Sequence, residues 1–142
     1  MSWTTPKTDW HFSFDMNGNY TGDRFNAEDY NRIRDNLIYL REIAILMYDE
    51  FAITSPETKQ VGDYFFADEI NLLEDNLETI NSNSINRSYG TKPTYIANGN
   101  TPDFAELNRL ESAILDLYDR LNNQREGQRN FTWNFGMKGG LF

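Results

Sequence analysis

The chain has 142 residues, enough for one ordinary domain with a buried core, and its aromatic share of 15% argues against disorder. A formal net charge of −9, from 13 Lys+Arg against 22 Asp+Glu, repels phosphate backbones and speaks against nucleic-acid binding. There is no cysteine for a disulfide or a thiolate metal site, "MSWTTPKTDW" has no apolar stretch of a secretory signal, and the longest apolar run, Ile43 to Tyr48, is too short for a bilayer.

Residues 1–24 read as an N-terminal aromatic arm. "WHFSF" alternates aromatic and polar residues, the strand period, and puts Trp10, Phe12 and Phe14 on one face. "DMNGNYTGD" resembles part of a calcium loop, with Asp15, Asn17 and Asn19 alternating. The positions that need Gly and Glu hold Tyr20 and Asn26, so the stretch reads as a turn made by Asn-Gly chemistry.

Residues 25–124 repeat one helical pattern three times, aligned on Asn31, Asn71 and Asn108. A glycine (Gly22, Gly62, Gly99) stands nine residues before each asparagine. Behind each asparagine the apolar residues step by three and four, as on helices that pack against helices. The stripes are Tyr30, Ile33, Leu37, Leu40, Ala44, Met47, Phe51; then Ile70, Leu73, Leu77, Ile80; then Leu107, Leu110, Ile114, Leu117, Leu121. The spacing predicts a first helix from about Ala27 to about Phe51 and a third from about Asp103 to about Asn123.

Asn26 with Asp29, and Asp103 with Glu106, have the spacing of capping boxes, while Phe66 at the second start cannot cap. Each anchor asparagine lies within the first two turns of its helix. It reads as a half-buried amide bonded to the loop preceding that helix, with a ligand-binding role as the alternative. The linkers "ITSPETKQVGDY" and "NSNSINRSYGTKPTYIANGNT" are loops by composition.

Residues 125–142 form a second aromatic arm. "FTWNF" alternates like the first, with Phe131, Trp133 and Phe135 on one face, and Leu141 and Phe142 follow a Gly-Gly pair. Two lone strand-like segments need partners, either each other or a neighbouring subunit. The fold class expected is therefore mainly α: three repeated amphipathic helices in a bundle, with long loops and short aromatic β-type arms at both ends. Trp3, Trp10, Phe12, Phe14, Phe131, Trp133, Phe135, Leu141 and Phe142 form the candidate assembly interface, because large aromatics anchor interface centres.

Chemistry-bearing patterns are sparse. His11 is the single histidine, and no nucleophile elbow, P-loop or dinucleotide fingerprint occurs. The carboxylates lie mostly on helix faces, where they solvate or pair. No catalytic, cofactor-binding or metal-ligating residue is assigned, and the expectation is a protein that is not an enzyme.

"WTTPKTDW" followed by "FNAEDYNRIRDNLIYL" resembles small structural proteins of phages and prophages of Gram-positive bacteria, those associated with tail, baseplate and fibre. Lys7 to Trp10, Phe25-Asn26, the Asp29 to Ile33 helix and the ending "FGMKGGLF" carry the resemblance. It covers Trp3 to about Leu40 most strongly. It implies a structural or adaptor component of the virion that works through protein–protein contacts. The partners implied are other virion proteins and copies of itself, as a homo-oligomer, trimer or higher ring, with no nucleic acid and no membrane. The competing readings are a host-surface glycan binder or head-fibre protein and, behind it, a small cell-wall hydrolase.

Overall fold

The computed structural model describes residues 3–63, 67–96 and 103–137, with side chains as far as Gly127. It is mainly helical, with α1 over Ala27–Ala44, α2 over Ala67–Ser82 and α3 over Phe104–Met137. The three helices fall on the three similar stretches of sequence. Helix α1 packs against both α2 and α3, and α2 touches α3, so the described chain is a small helical bundle.

The stripes form the core as their period requires. Tyr30, Ile33, Leu37 and Leu40 of α1, Leu73 and Ile80 of α2, and Ile114, Leu117 and Leu121 of α3 are fully buried against one another. Burial of each such aliphatic side chain stabilises the fold by about 1.5–3 kcal/mol.

The first helix starts as expected. Asn26 accepts from the Asp29 N–H at 3.1 Å, and the Asp29 carboxylate accepts from the Asn26 N–H at 3.0 Å, a complete capping box. At α3, Asp103 accepts from the Glu106 N–H at 2.8 Å. The return bond is not made by Glu106, whose carboxylate faces Arg109 at 3.2 Å. Phe66 lies outside the described residues.

Two helix lengths differ from expectation. Helix α1 ends at Ala44 rather than near Phe51, and a turn over Ile45 to Tyr48 follows. Arg41 then donates its Nε to the Phe51 carbonyl at 2.9 Å, drawing the chain back along its own helix. Met47 and Phe51 still pack on the core from beyond the helix end. Helix α3 continues past Asn123 to Met137.

The expected C-terminal strand is therefore corrected: Phe131, Trp133 and Phe135 lie within α3. A period-two signal over five residues cannot redirect a helix that is already formed, because adding one residue to a helix costs far less than nucleating it. The side chains of these three residues, and Leu141 and Phe142 altogether, lie outside the described residues.

At the N-terminal end, "WHFSF" forms no extended strand. Residues 11–23 make a hairpin with a single antiparallel bridge, Phe14 to Tyr20. The Thr21 N–H donates to the Ser13 carbonyl at 2.8 Å, and the Asp23 N–H to the His11 carbonyl at 3.1 Å. Its tip is the Asn-Gly turn expected. Asp15 accepts from the N–H groups of Asn17 (2.9 Å) and Asn19 (2.8 Å), and Gly18 takes φ +81°, a conformation that favours glycine.

Candidate functional site

Three stretches without regular secondary structure run across the bundle, and asparagine side chains hold them. We call them straps. Each contains a proline: Pro6, Pro56 and Pro93. A free amide group presents one acceptor and two donors, so it can pair with the N–H and C=O of one residue as another backbone would.

The anchor asparagines do this. Asn31 accepts from the Lys59 N–H at 2.7 Å and donates to the Lys59 carbonyl at 2.7 Å. Asn71 does the same with Tyr95, at 2.8 and 2.8 Å. Asn108 does it with Trp10, at 2.8 and 3.1 Å. These amides bond the chain's own backbone, as the structural reading expected. The partner is not the loop before each asparagine's own helix, however. Asn31 and Asn71 hold the strap that leads to the next helix, and Asn108 holds the strap before α1.

A second pair of clamps was missed in the sequence. Asn36 bonds both backbone groups of Thr4, at 3.0 and 2.7 Å, and Asn76 both groups of Thr54, at 3.3 and 2.9 Å. Both are buried. They recur five residues after Asn31 and Asn71, in the shared words Asp35-Asn36-Leu37 and Asp75-Asn76-Leu77, so the signal was present. The corresponding residue of α3 is Ala113. There Arg109 donates to the Tyr89 carbonyl at 3.2 Å, and the Tyr89 hydroxyl donates to Asp116 at 2.7 Å.

Each strap thus bridges the helix it leads into and one other. The first joins α1 to α3, the second α2 to α1, the third α3 to α2.

Two buried carboxylates reinforce the joints. Glu111 is fully buried and has four donors. Arg32 gives Nε and Nη2 at 2.8 Å each, the Trp10 indole N–H lies at 2.6 Å and the Lys7 N–H at 3.0 Å. Glu74, also buried, takes both contacts from Nη2 of Arg109, at 2.6 and 2.5 Å. Burial pushes the Glu74 carboxyl up, and the Arg109 charge opposes that without cancelling it. Burial disfavours the Arg32 charge, but Glu111 and then Asp29 outweigh it, so its pKa is raised. With its four donors, Glu111 ties the first strap, α1 and α3 together.

The expected interface residues divide. Trp10 is buried between α3 and Phe25, with ring centroids 5.5 Å from Phe104 and 5.9 Å from Phe25. Trp3 stacks on Tyr118 at 3.9 Å with an 8° interplanar angle. Both are occupied by the chain's own packing. Phe12 and Phe14 remain 67% and 64% exposed on the hairpin, and Met16 at its tip is fully exposed. Phe12 leans on Phe104, with centroids 4.5 Å apart. Sequence reasoning missed Met16.

Among the described residues no group of three or more His, Cys, Asp or Glu is placed to hold a metal ion. No helix among them is long and apolar enough to cross a membrane. Comparison with family models, with curated proteins and with solved structures gives no match.

Proposed function

We propose that the chain is a structural or adaptor component of a bacteriophage virion, in the tail, baseplate or fibre, acting through protein–protein contacts and not as an enzyme. The observation that carries the proposal is the exposed apolar hairpin, Phe12, Phe14 and Met16, raised on a body whose other aromatics, among the described residues, are buried or half-buried. Exposed apolar clusters of this kind mark contact surfaces. The resemblance of Lys7 to Trp10 and of Asp29 to Ile33 to phage structural proteins supplies the setting.

In this reading the body is one helix-and-strap module repeated three times and closed into a ring. Each module lends its strap to a neighbour, and the asparagine clamps are the joints. Such a body is rigid without a large core, which suits a part that must keep its shape between partners. The partners proposed are other virion proteins and copies of itself.

Mass spectrometry of purified particles, followed by dissection into tail, baseplate and head fractions, tests the reading. The chain should appear in one fraction at a fixed copy number. Its recovery only from the cell lysate, with none in washed particles, would refute it. A glycan array probed with the chain covers the receptor-binding alternative, which would use the exposed Phe12 ring as its platform.

A further inference from the structure

The first strap lies in a groove between α1 and α3, and what binds it there is indifferent to which copy of the chain it comes from. Asn36 and Asn108 hold the backbone of Thr4 and Trp10, Glu111 takes the Trp10 indole N–H, and Tyr118 stacks on Trp3. Every one of these contacts joins residues far apart in sequence. The only covalent route from strap to body is the hairpin of residues 11–23 and the short lead into α1.

We propose that this groove also binds the first strap of a second copy of the chain, so that two copies exchange straps and form a dimer. Three observations support a second copy as the occupant. An exchanged strap remakes its contacts with the groove, so what the dimer loses is the hairpin's own bonds, the Phe12–Phe104 ring contact and the entropy of association. The hairpin is short and its four backbone bonds, from the N–H groups of Asp15, Gly18, Thr21 and Asp23, all close within residues 11–23, with a tip that requires Gly18 at φ +81°. Opened, residues 11–26 span up to about 50 Å, enough to reach a neighbouring molecule. Finally, the exposed Phe12, Phe14 and Met16 lie on the connector itself. In an exchanged dimer two such connectors pass each other and can cover these side chains mutually.

The inference does not rest on the virion reading. A strap-exchanged dimer that never enters a particle would support the one and refute the other.

The test opens the hairpin in the full chain. Proline cannot adopt φ +81° and lacks the N–H that Gly18 donates to the Asp15 carbonyl at 3.1 Å. Gly18→Pro therefore disfavours the closed form, while the opened connector accepts it. Light scattering after size exclusion should show the dimerisation constant raised by at least about a hundredfold, a factor of about ten for each of the two opened connectors, taking the ordinary cost of a side chain in the left-handed region as the lower limit. Adding Asn108→Ala should weaken that dimer, since with the closed form disfavoured the monomer's strap is released and has no clamp to lose.

Three outcomes overturn the proposal: a Gly18→Pro monomer with Trp10 still shielded from quencher, a released strap with no dimer, or a dimer indifferent to Asn108→Ala. Should the variant not fold, the unmodified chain decides. Isotope-labelled and unlabelled chains are held together at high concentration, diluted and examined by native mass spectrometry. Mixed dimers that persist after dilution support exchange, and their absence overturns it.

Discussion

Replacing Glu111 by leucine removes the acceptor on which strap, α1 and α3 converge. The Glu111 side chain is fully buried and that of Arg32 is 13% exposed, so water cannot take over the guanidinium once the carboxylate is gone. Asp29, at 2.9 Å, then remains its only charged partner among the described residues. Breaking a buried pair by removing one member costs about 3–5 kcal/mol. The Trp10 indole N–H and the Lys7 N–H lose their acceptor too, at about 1–3 kcal/mol for each that water does not reach. These losses share one site and do not add, so about 5 kcal/mol is the expected total.

That is a large part of the 5–15 kcal/mol, roughly, that holds a domain of this size. At about 3 °C per kcal/mol, Tm falls by about 15 °C. Two companion variants make the reasoning specific. Glu111→Gln keeps one acceptor oxygen and should lose about half as much. Arg32→Met combined with Glu111→Leu removes both charges and should recover most of the loss, since apolar replacement of a buried pair is often neutral. Urea unfolding of the four proteins is the assay. A Glu111→Leu chain within about 1 kcal/mol of the parent, or a double variant no better than the single, would refute the account.

The buried clamps should cost more than the half-buried ones: Asn36→Ala and Asn76→Ala are expected to destabilise by about 2–3 kcal/mol and Asn31→Ala by about 1–2 kcal/mol, read from urea midpoints. Leu77→Asp places a carboxylate at a buried α2 position and should abolish cooperative unfolding, seen as loss of the thermal transition. Asp116 supplies a pH signature. Burial raises its pKa, but the Tyr89 hydroxyl and the Arg120 and Arg87 charges outweigh that and hold it below the usual 3.8. Its contribution is present above pH 3.8 and is lost as pH falls through the lower folded value. Asp116→Asn should therefore be less stable than the parent at pH 7, with the gap closing in acid; a gap constant with pH would contradict this.

The helices were legible because their apolar residues keep a helical period over several turns, and Asn26 with Asp29 marked the start of α1. The aromatic alternation misled, since five residues of period two fit a hairpin arm, a buried strap residue or a helix equally. Trp10 and Phe12 belong to the same short alternation, yet one is buried and the other exposed. Local pattern cannot register that Asn108 and Glu111 lie opposite, about a hundred residues away. The clamps were half legible. Asn31, Asn71 and Asn108 stood out by recurrence, but their partners are backbone groups, which leave no trace in side-chain identity. The prolines of the straps and the second asparagines recurred as well, and only their role was hidden until the chain closed on itself.

The claim on which everything else rests is that straps without regular secondary structure are fixed by side-chain amides. Hydrogen exchange reads this directly at the N–H groups of Thr4, Trp10, Thr54, Lys59 and Tyr95, each of which donates to an asparagine oxygen at 2.7–3.3 Å. The account predicts that these five amides exchange slowly, like those of the helices, and that Asn71→Ala releases Tyr95 while leaving Trp10 protected. Exchange at the rate of an unstructured peptide at all five would contradict it.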